Sequence, residues 1–107
     1  MAKPVRLRQL AAVDLEGASE FYDREAGEQI ALDFIDAVEN AIKRIRRSPH
    51  VGSLRFAYEL AIPDLRAWPV QRFPYLVFYV VSDEEIDVWR VLHTRRDVAA
   101  TLEPPET

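Results

Sequence analysis

The 107-residue sequence contains no cysteine. That excludes disulfides, thiolate catalysis and cysteine-ligated zinc, and it suits a reducing compartment. Glycine is scarce as well. Gly17, Gly27 and Gly52 stand far apart, so no glycine-rich phosphate loop is present. The only histidines, His50 and His93, have no His-x-x-x-His spacing. Asp33 and Asp36 lie one helical turn apart and more readily face solvent than hold an ion. No metal and no cofactor is therefore expected. Ser19, Ser48 and Ser53 occupy no nucleophile elbow. The apolar run over 76–81 is six residues long, against about 20 for a membrane-spanning helix. The first ten residues lack the apolar core of a signal peptide, and a soluble, cytoplasmic protein without membrane contact is expected.

Basic residues are in the minority. Fourteen Lys+Arg face eighteen Asp+Glu, a formal net charge of −4, which disfavours non-specific or direct sequence-specific DNA binding. The balance is uneven along the chain. Residues 14–39 hold nine acids and one base, a net of −8, leaving +4 for the remainder. A solvated acidic helix face is the plain explanation, and an acidic face that meets a basic partner is the functional one. Lys43, Arg44, Arg46 and Arg47 then fall where a helix C-terminus favours positive charge.

Two patterns divide the chain. Val5 and Leu7, and by extension Gln9, alternate with arginines as in a short strand. Leu15, Ala18, Phe21 and Tyr22 then share one side of a helix over residues 11–26, which Gly27 ends. Ile30, Phe34, Ile35, Val38, Ala41, Ile42 and Ile45 trace an amphipathic helix over 28–47, stopped by Ser48-Pro49. Joined so tightly, the two helices form an antiparallel hairpin.

Strand patterns follow. Residues 54–60 read as a short extended piece. Residues 65–73 read as a strand that Pro69 demotes to an edge or a bulged position. Residues 75–81 are apolar on both faces and therefore central. Residues 82–85 make a hairpin turn into a last strand over 86–93. There Ile86, Val88 and Leu92 are expected on one side, with Trp89 and Val91 on the other. The expected fold is α+β: an N-terminal strand, then a helical hairpin on one face of a three- to four-stranded, mainly antiparallel sheet. It forms one domain over 1–102 with a flexible tail over 103–107. Trp68, Phe73, Phe78, Tyr79 and Trp89 are too many for the space under two helices, so the far face is expected to be open or covered by a partner.

The densest chemistry lies in Trp89-Arg90-Val91-Leu92-His93-Thr94-Arg95-Arg96-Asp97. With Arg66 and Arg72 from neighbouring strands, it can form a small basic surface. RNA cleavage needs a base, an acid and cations on the phosphate, and Arg90, His93 and Arg96 are the candidates. A structural histidine and a surface ion pair are the bland alternatives.

Three motifs in order, Leu65-Arg66-Ala67-Trp68-Pro69-Val70, then 73–79 (Phe-Pro-Tyr-Leu-Val-Phe-Tyr), then Val91-Leu92-His93-x-x-Arg96-Asp97, resemble the RelE/ParE toxin superfamily, and its ParE branch most. The resemblance spans residues 5–100 and implies the same strand–hairpin–sheet order. It also implies the toxin half of a type II toxin–antitoxin pair, neutralised in a hetero-oligomeric complex by a ParD-like antitoxin whose disordered tail folds on binding. A ParE-like target is DNA gyrase; a RelE-like one is ribosome-bound mRNA. The chain departs from the RelE pattern, with no lysine after Lys43 and no tyrosine after Tyr79. A binding-type gyrase poison is therefore expected, with an mRNA endoribonuclease as the alternative. The expected target-binding residues are Arg90, His93, Arg95 and Arg96; the expected antitoxin contacts are Tyr22, Trp68 and Phe73.

Overall fold

The computed structural model describes residues 2–95, 102 and 104. The chain runs β1 (Val5–Leu7), α1 (Gln9–Ala26), α2 (Glu28–Arg47), a 3-10 turn at Pro49–Val51, α3 (Arg55–Leu60), β2 (Arg66–Pro69), β3 (Tyr75–Val81) and β4 (Ile86–His93). The strands form one sheet in the order β1-β4-β3-β2. The β2–β3 and β3–β4 pairs are antiparallel, while β1 joins β4 in parallel. A four-stranded, mainly antiparallel α+β fold is thus what the sequence pattern describes.

A single residue, Gly27, separates α1 from α2. Its φ of 98° lies where side chains are rarely tolerated, and its N–H closes α1 by donating to the Asp23 carbonyl at 3.1 Å. The reversal lays the stripe of α2 (Phe34, Val38, Ala41, Ile45) over Val77, Tyr79, Ile86 and Val88 of the sheet, with Ala11 and Ala18 of α1 beside them. Each large side chain buried completely there contributes roughly 1.5–3 kcal/mol.

The far face of the sheet is not open. Residues 54–60, expected as extended, form α3 over Arg55–Leu60. Its Phe56, Ala57 and Leu60 pack on a second cluster built from Ile62, Leu65, Ala67, Phe78, Leu92 and Leu102. The surplus of strand aromatics is absorbed here within the chain: Phe78 is fully buried under Phe56, with ring centroids 5.2 Å apart. The expected tail over 103–107 lies outside the described residues except for Pro104, which is exposed.

Two strand expectations also change. The strand expected over 65–73 is only Arg66–Pro69, because Arg72, at φ 73°, turns the chain toward β3. Of the edge and bulged positions open to a strand carrying Pro69, it takes the edge, and its outer side at Ala67 is already closed by a two-way backbone pairing with Ser53. In β4, Phe78 pairs with Arg90 while Tyr79 pairs with Val88, so Trp89 is an extra, bulged residue. The bulge resets the alternation. Val91 joins Ile86 and Val88 on the helix side, and Leu92 joins Trp89 on the far side.

Candidate functional site

Of the expected basic surface, Arg66, Arg72, Arg90, His93 and Arg95 are described. β1 ends at Leu7, paired with Val88, so the edge of β4 beyond the bulge would be bare. Asp14 of α1 fills that gap. Its carboxylate accepts from Arg90 Nε at 2.7 Å and Nη2 at 2.8 Å, and from the Val91 N–H at 3.0 Å. The two side chains are only 15% and 9% exposed. The hydrogen bonds to Asp14 raise the Arg90 pKa above its ordinary value, against the desolvation that lowers it. Arg90 is a charge-matched clamp between helix and strand, a poor arrangement for gripping a phosphate.

His93 sits at the end of β4 opposite Tyr75. Its ring stands edge-on to Tyr75 with centroids 5.3 Å apart, and its Nδ1 accepts the Arg95 N–H at 3.1 Å. That hydrogen bond gives the ring a structural role at the strand end, while Arg95 is exposed. Arg96 and Asp97 lie outside the described residues. Arg66 does not join this group. It pairs with Tyr79 at the other end of the sheet and donates through Nη1 to the His50 and Gly52 carbonyls, both at 2.9 Å.

The three expected antitoxin contacts separate into two kinds. Tyr22 and Phe73 meet each other with ring centroids 5.2 Å apart, and both meet Phe34. Burial pushes the Tyr22 phenol pKa up, with a smaller contribution from Tyr75. These two rings close the seam between hairpin and sheet. Trp68 lies differently, with the Arg44 guanidinium 5.8 Å from its ring centroid, a contact worth roughly 0.5–1 kcal/mol where exposed.

Trp68 opens onto a cleft of about 730 Å³ between α2 and the β2–β3 turn. Along the helix, its wall changes from Asp33 and Asp36 to Arg44 and Arg47, with the small Ala37 and Ala41 between them. Arg72 rims it from the turn, 4.0 Å from Asp33 and over the Phe73 ring. A floor of Trp68 and Pro69 with charges of both signs at the walls suits a peptide carrying apolar and charged side chains. No group of three or more potential metal-ligating His, Cys, Asp or Glu residues occurs among the described residues. Sequence reasoning missed this cleft because its walls are distant in the chain. The one signal was that Asp33, Asp36 and Arg44 share spacing along one helix.

Comparison with known proteins bears directly on this arrangement. The family model described as "ParE toxin of type II toxin-antitoxin system, parDE" matches residues 5–98. The chain belongs to the ParE toxin family. Among solved structures, a chain of the chromosomal ParDE TA system from P. aeruginosa has the same fold, with a TM-score of 0.74 at 20% sequence identity. The alignment covers 88% of this chain and 98% of that one. No curated protein matches the sequence. The ParE family match spans every element from β1 to β4, so the Asp14–Arg90 clamp and the Trp68 cleft both lie within it.

Proposed function

We propose that this ParE-family toxin is a protein-binding poison of DNA gyrase, acts in the cytoplasm, and is held inactive by a ParD-like antitoxin. Family membership supports the toxin role, and the Asp14–Arg90 pair is the observation that favours binding over RNA cleavage. A nuclease built on Arg90 and His93 would need both groups available to substrate. Arg90 is instead paired side-on, through Nε and Nη2, with the Asp14 carboxylate, and no lysine follows Lys43 to replace it. Arg95 and Arg96, with His93 beside them, remain the proposed contacts to the target. Trp68 and its cleft are the proposed antitoxin contact, with Tyr22 and Phe73 supporting it from within.

Inducing the toxin alone and together with its antitoxin tests this reading. Growth arrest with an SOS response, relieved by the antitoxin, is expected. Arrest with immediate loss of translation and cleaved mRNA contradicts the gyrase assignment. Normal growth contradicts toxicity altogether.

A further inference from the structure

Helix α3 closes the far face of the sheet over Phe78 and Leu92, but it stops short of the corner where β1 meets the start of β4. A recess of about 260 Å³ lies at that corner, and no residue of α3 lines it. Its apolar part is Val80 of β3 and Trp89, the bulged residue of β4. Both pack on the far-face cluster and keep part of their surface in solvent. The indole is fixed by a polar network. Its N–H donates to Asp87 Oδ2 at 3.3 Å, and Arg8 grips the same carboxylate through Nε and Nη2, each at 2.8 Å. A ring held in this way loses little freedom when another surface packs on it.

Arg6 stands beside this platform. It is exposed and in register with Asp87, but both oxygens of that carboxylate are taken by Arg8. No ion pair joins Arg6 to another acid among the described residues. A fixed indole next to an uncommitted guanidinium is the composition of an interface hot spot. The rim also carries Glu84 and Glu85. With Arg8 and Asp87 paired to each other, two acids and one base remain, which disfavours a phosphate or a nucleic-acid strand. A second copy of this chain fits poorly as well, because a two-fold contact sets recess against recess and two hollows leave a void. A protruding apolar side chain of another protein suits the site, with a carboxylate on the Arg6 side and none on the Glu84 side. The proposed antitoxin contacts Tyr22, Trp68 and Phe73 pack with the helix-side cluster, across the sheet from this recess.

We infer that the Trp89 recess is a second docking point for the toxin's target, gyrase, and takes such a side chain. This rests on the gyrase reading above and adds an anchor to the contacts at Arg95 and Arg96. Asp87 and His93 stand near opposite ends of β4, so the two contacts together fix the orientation of the toxin on its target, as neither does alone.

The test compares purified full-length wild-type toxin with Arg6→Glu and Trp89→Ala in a gyrase supercoiling assay. Thermal melts establish that each variant is folded, and calorimetric titration with full-length antitoxin is run alongside. Arg6 is exposed, so its variant keeps the test intact if Trp89→Ala does not fold. Both variants are expected to raise the toxin concentration for half-inhibition at least ~10-fold, the range of interface hot spots. Antitoxin affinity is expected to stay at the wild-type value. A folded Arg6→Glu or Trp89→Ala protein that inhibits gyrase as strongly as wild type overturns the inference and leaves the gyrase reading intact. So does a loss of antitoxin affinity as large as the loss of inhibition, since the recess would then serve no target contact of its own. So does a change confined to self-association of the free toxin, since the recess would then receive a second copy. A wild-type toxin that leaves supercoiling undisturbed overturns the gyrase reading, and this inference with it.

Discussion

Asp14 and Arg90, 76 residues apart in sequence, form a two-pronged ion pair that fastens the first turns of α1 to β4. The same carboxylate also takes the Val91 N–H, replacing the strand partner that β1 is too short to provide. Asp14→Ala takes the two-pronged carboxylate from Arg90 and the acceptor from the Val91 N–H in a largely buried site. The expected cost is about 3 kcal/mol, read as a lower denaturation midpoint with an unchanged slope. Arg90→Ala is expected to lose a similar amount. A loss of toxicity in that variant therefore reports on folding before it reports on chemistry.

Gly52 passes directly over the Tyr79 hydroxyl. Its N–H donates to that oxygen at 2.9 Å, while the hydroxyl donates to the Pro49 carbonyl at 2.7 Å. A Cβ on residue 52 would stand 2.6 Å from Tyr79 Oη and 2.9 Å from Arg66 Cβ. The φ of Gly52 is an ordinary −66°, so the conflict is purely one of space. Gly52→Ala is expected to cost roughly 1–3 kcal/mol through overpacking. Urea unfolding measures it directly.

The same tyrosine predicts how stability responds to alkali. Burial raises the Tyr79 pKa above the ordinary 10.0, outweighing the lowering by the Gly52 hydrogen bond and by Arg66. Between pH 10 and the folded-state value, the unfolded chain has lost this proton and the folded one retains it. The contribution is therefore fully present below about pH 10 and is lost as pH rises through the folded-state value. Tyr22 is raised by burial too and adds to the fall. Denaturation midpoints measured from about pH 8 to about pH 11 should show a plateau followed by a decline. Tyr79→Phe should start lower, by about 1–3 kcal/mol for its lost hydrogen bonds, and decline less steeply.

Gly17 gives the opposite sign. It lies inside α1 with open space where a Cβ would go. Gly17→Ala is expected to stabilise the free toxin by about 0.5–1 kcal/mol. A thermal melt that falls instead would show that this helix face is engaged within the chain.

Much of this architecture was legible in the sequence because its signals are local. The 3–4 spacing of Ile30 through Ile45 and the stop at Ser48-Pro49 define α2 at both ends. The apolar run before Ser82 and the alternation after it define β3 and β4. What escaped depends on contacts between distant residues or on segments too short to show a period. Helix α3 has six residues, fewer than two turns. The bulge at Trp89 reverses the facing of Val91 and Leu92, and no propensity marks it. Asp14 is one acid among nine in its segment, and only the fold distinguishes it as the partner of Arg90. The cleft at Trp68 has the same origin, since it exists only once α2 lies across β2. Gly27 shows the converse: a short punctuation signal that placed a helix reversal correctly.

A gyrase supercoiling assay with purified toxin, run with and without its antitoxin, tests the central claim most directly. The toxin is expected to block supercoiling or trap cleaved DNA, and the antitoxin to restore normal turnover. Undisturbed supercoiling at toxin concentrations that still cut mRNA on translating ribosomes would contradict it.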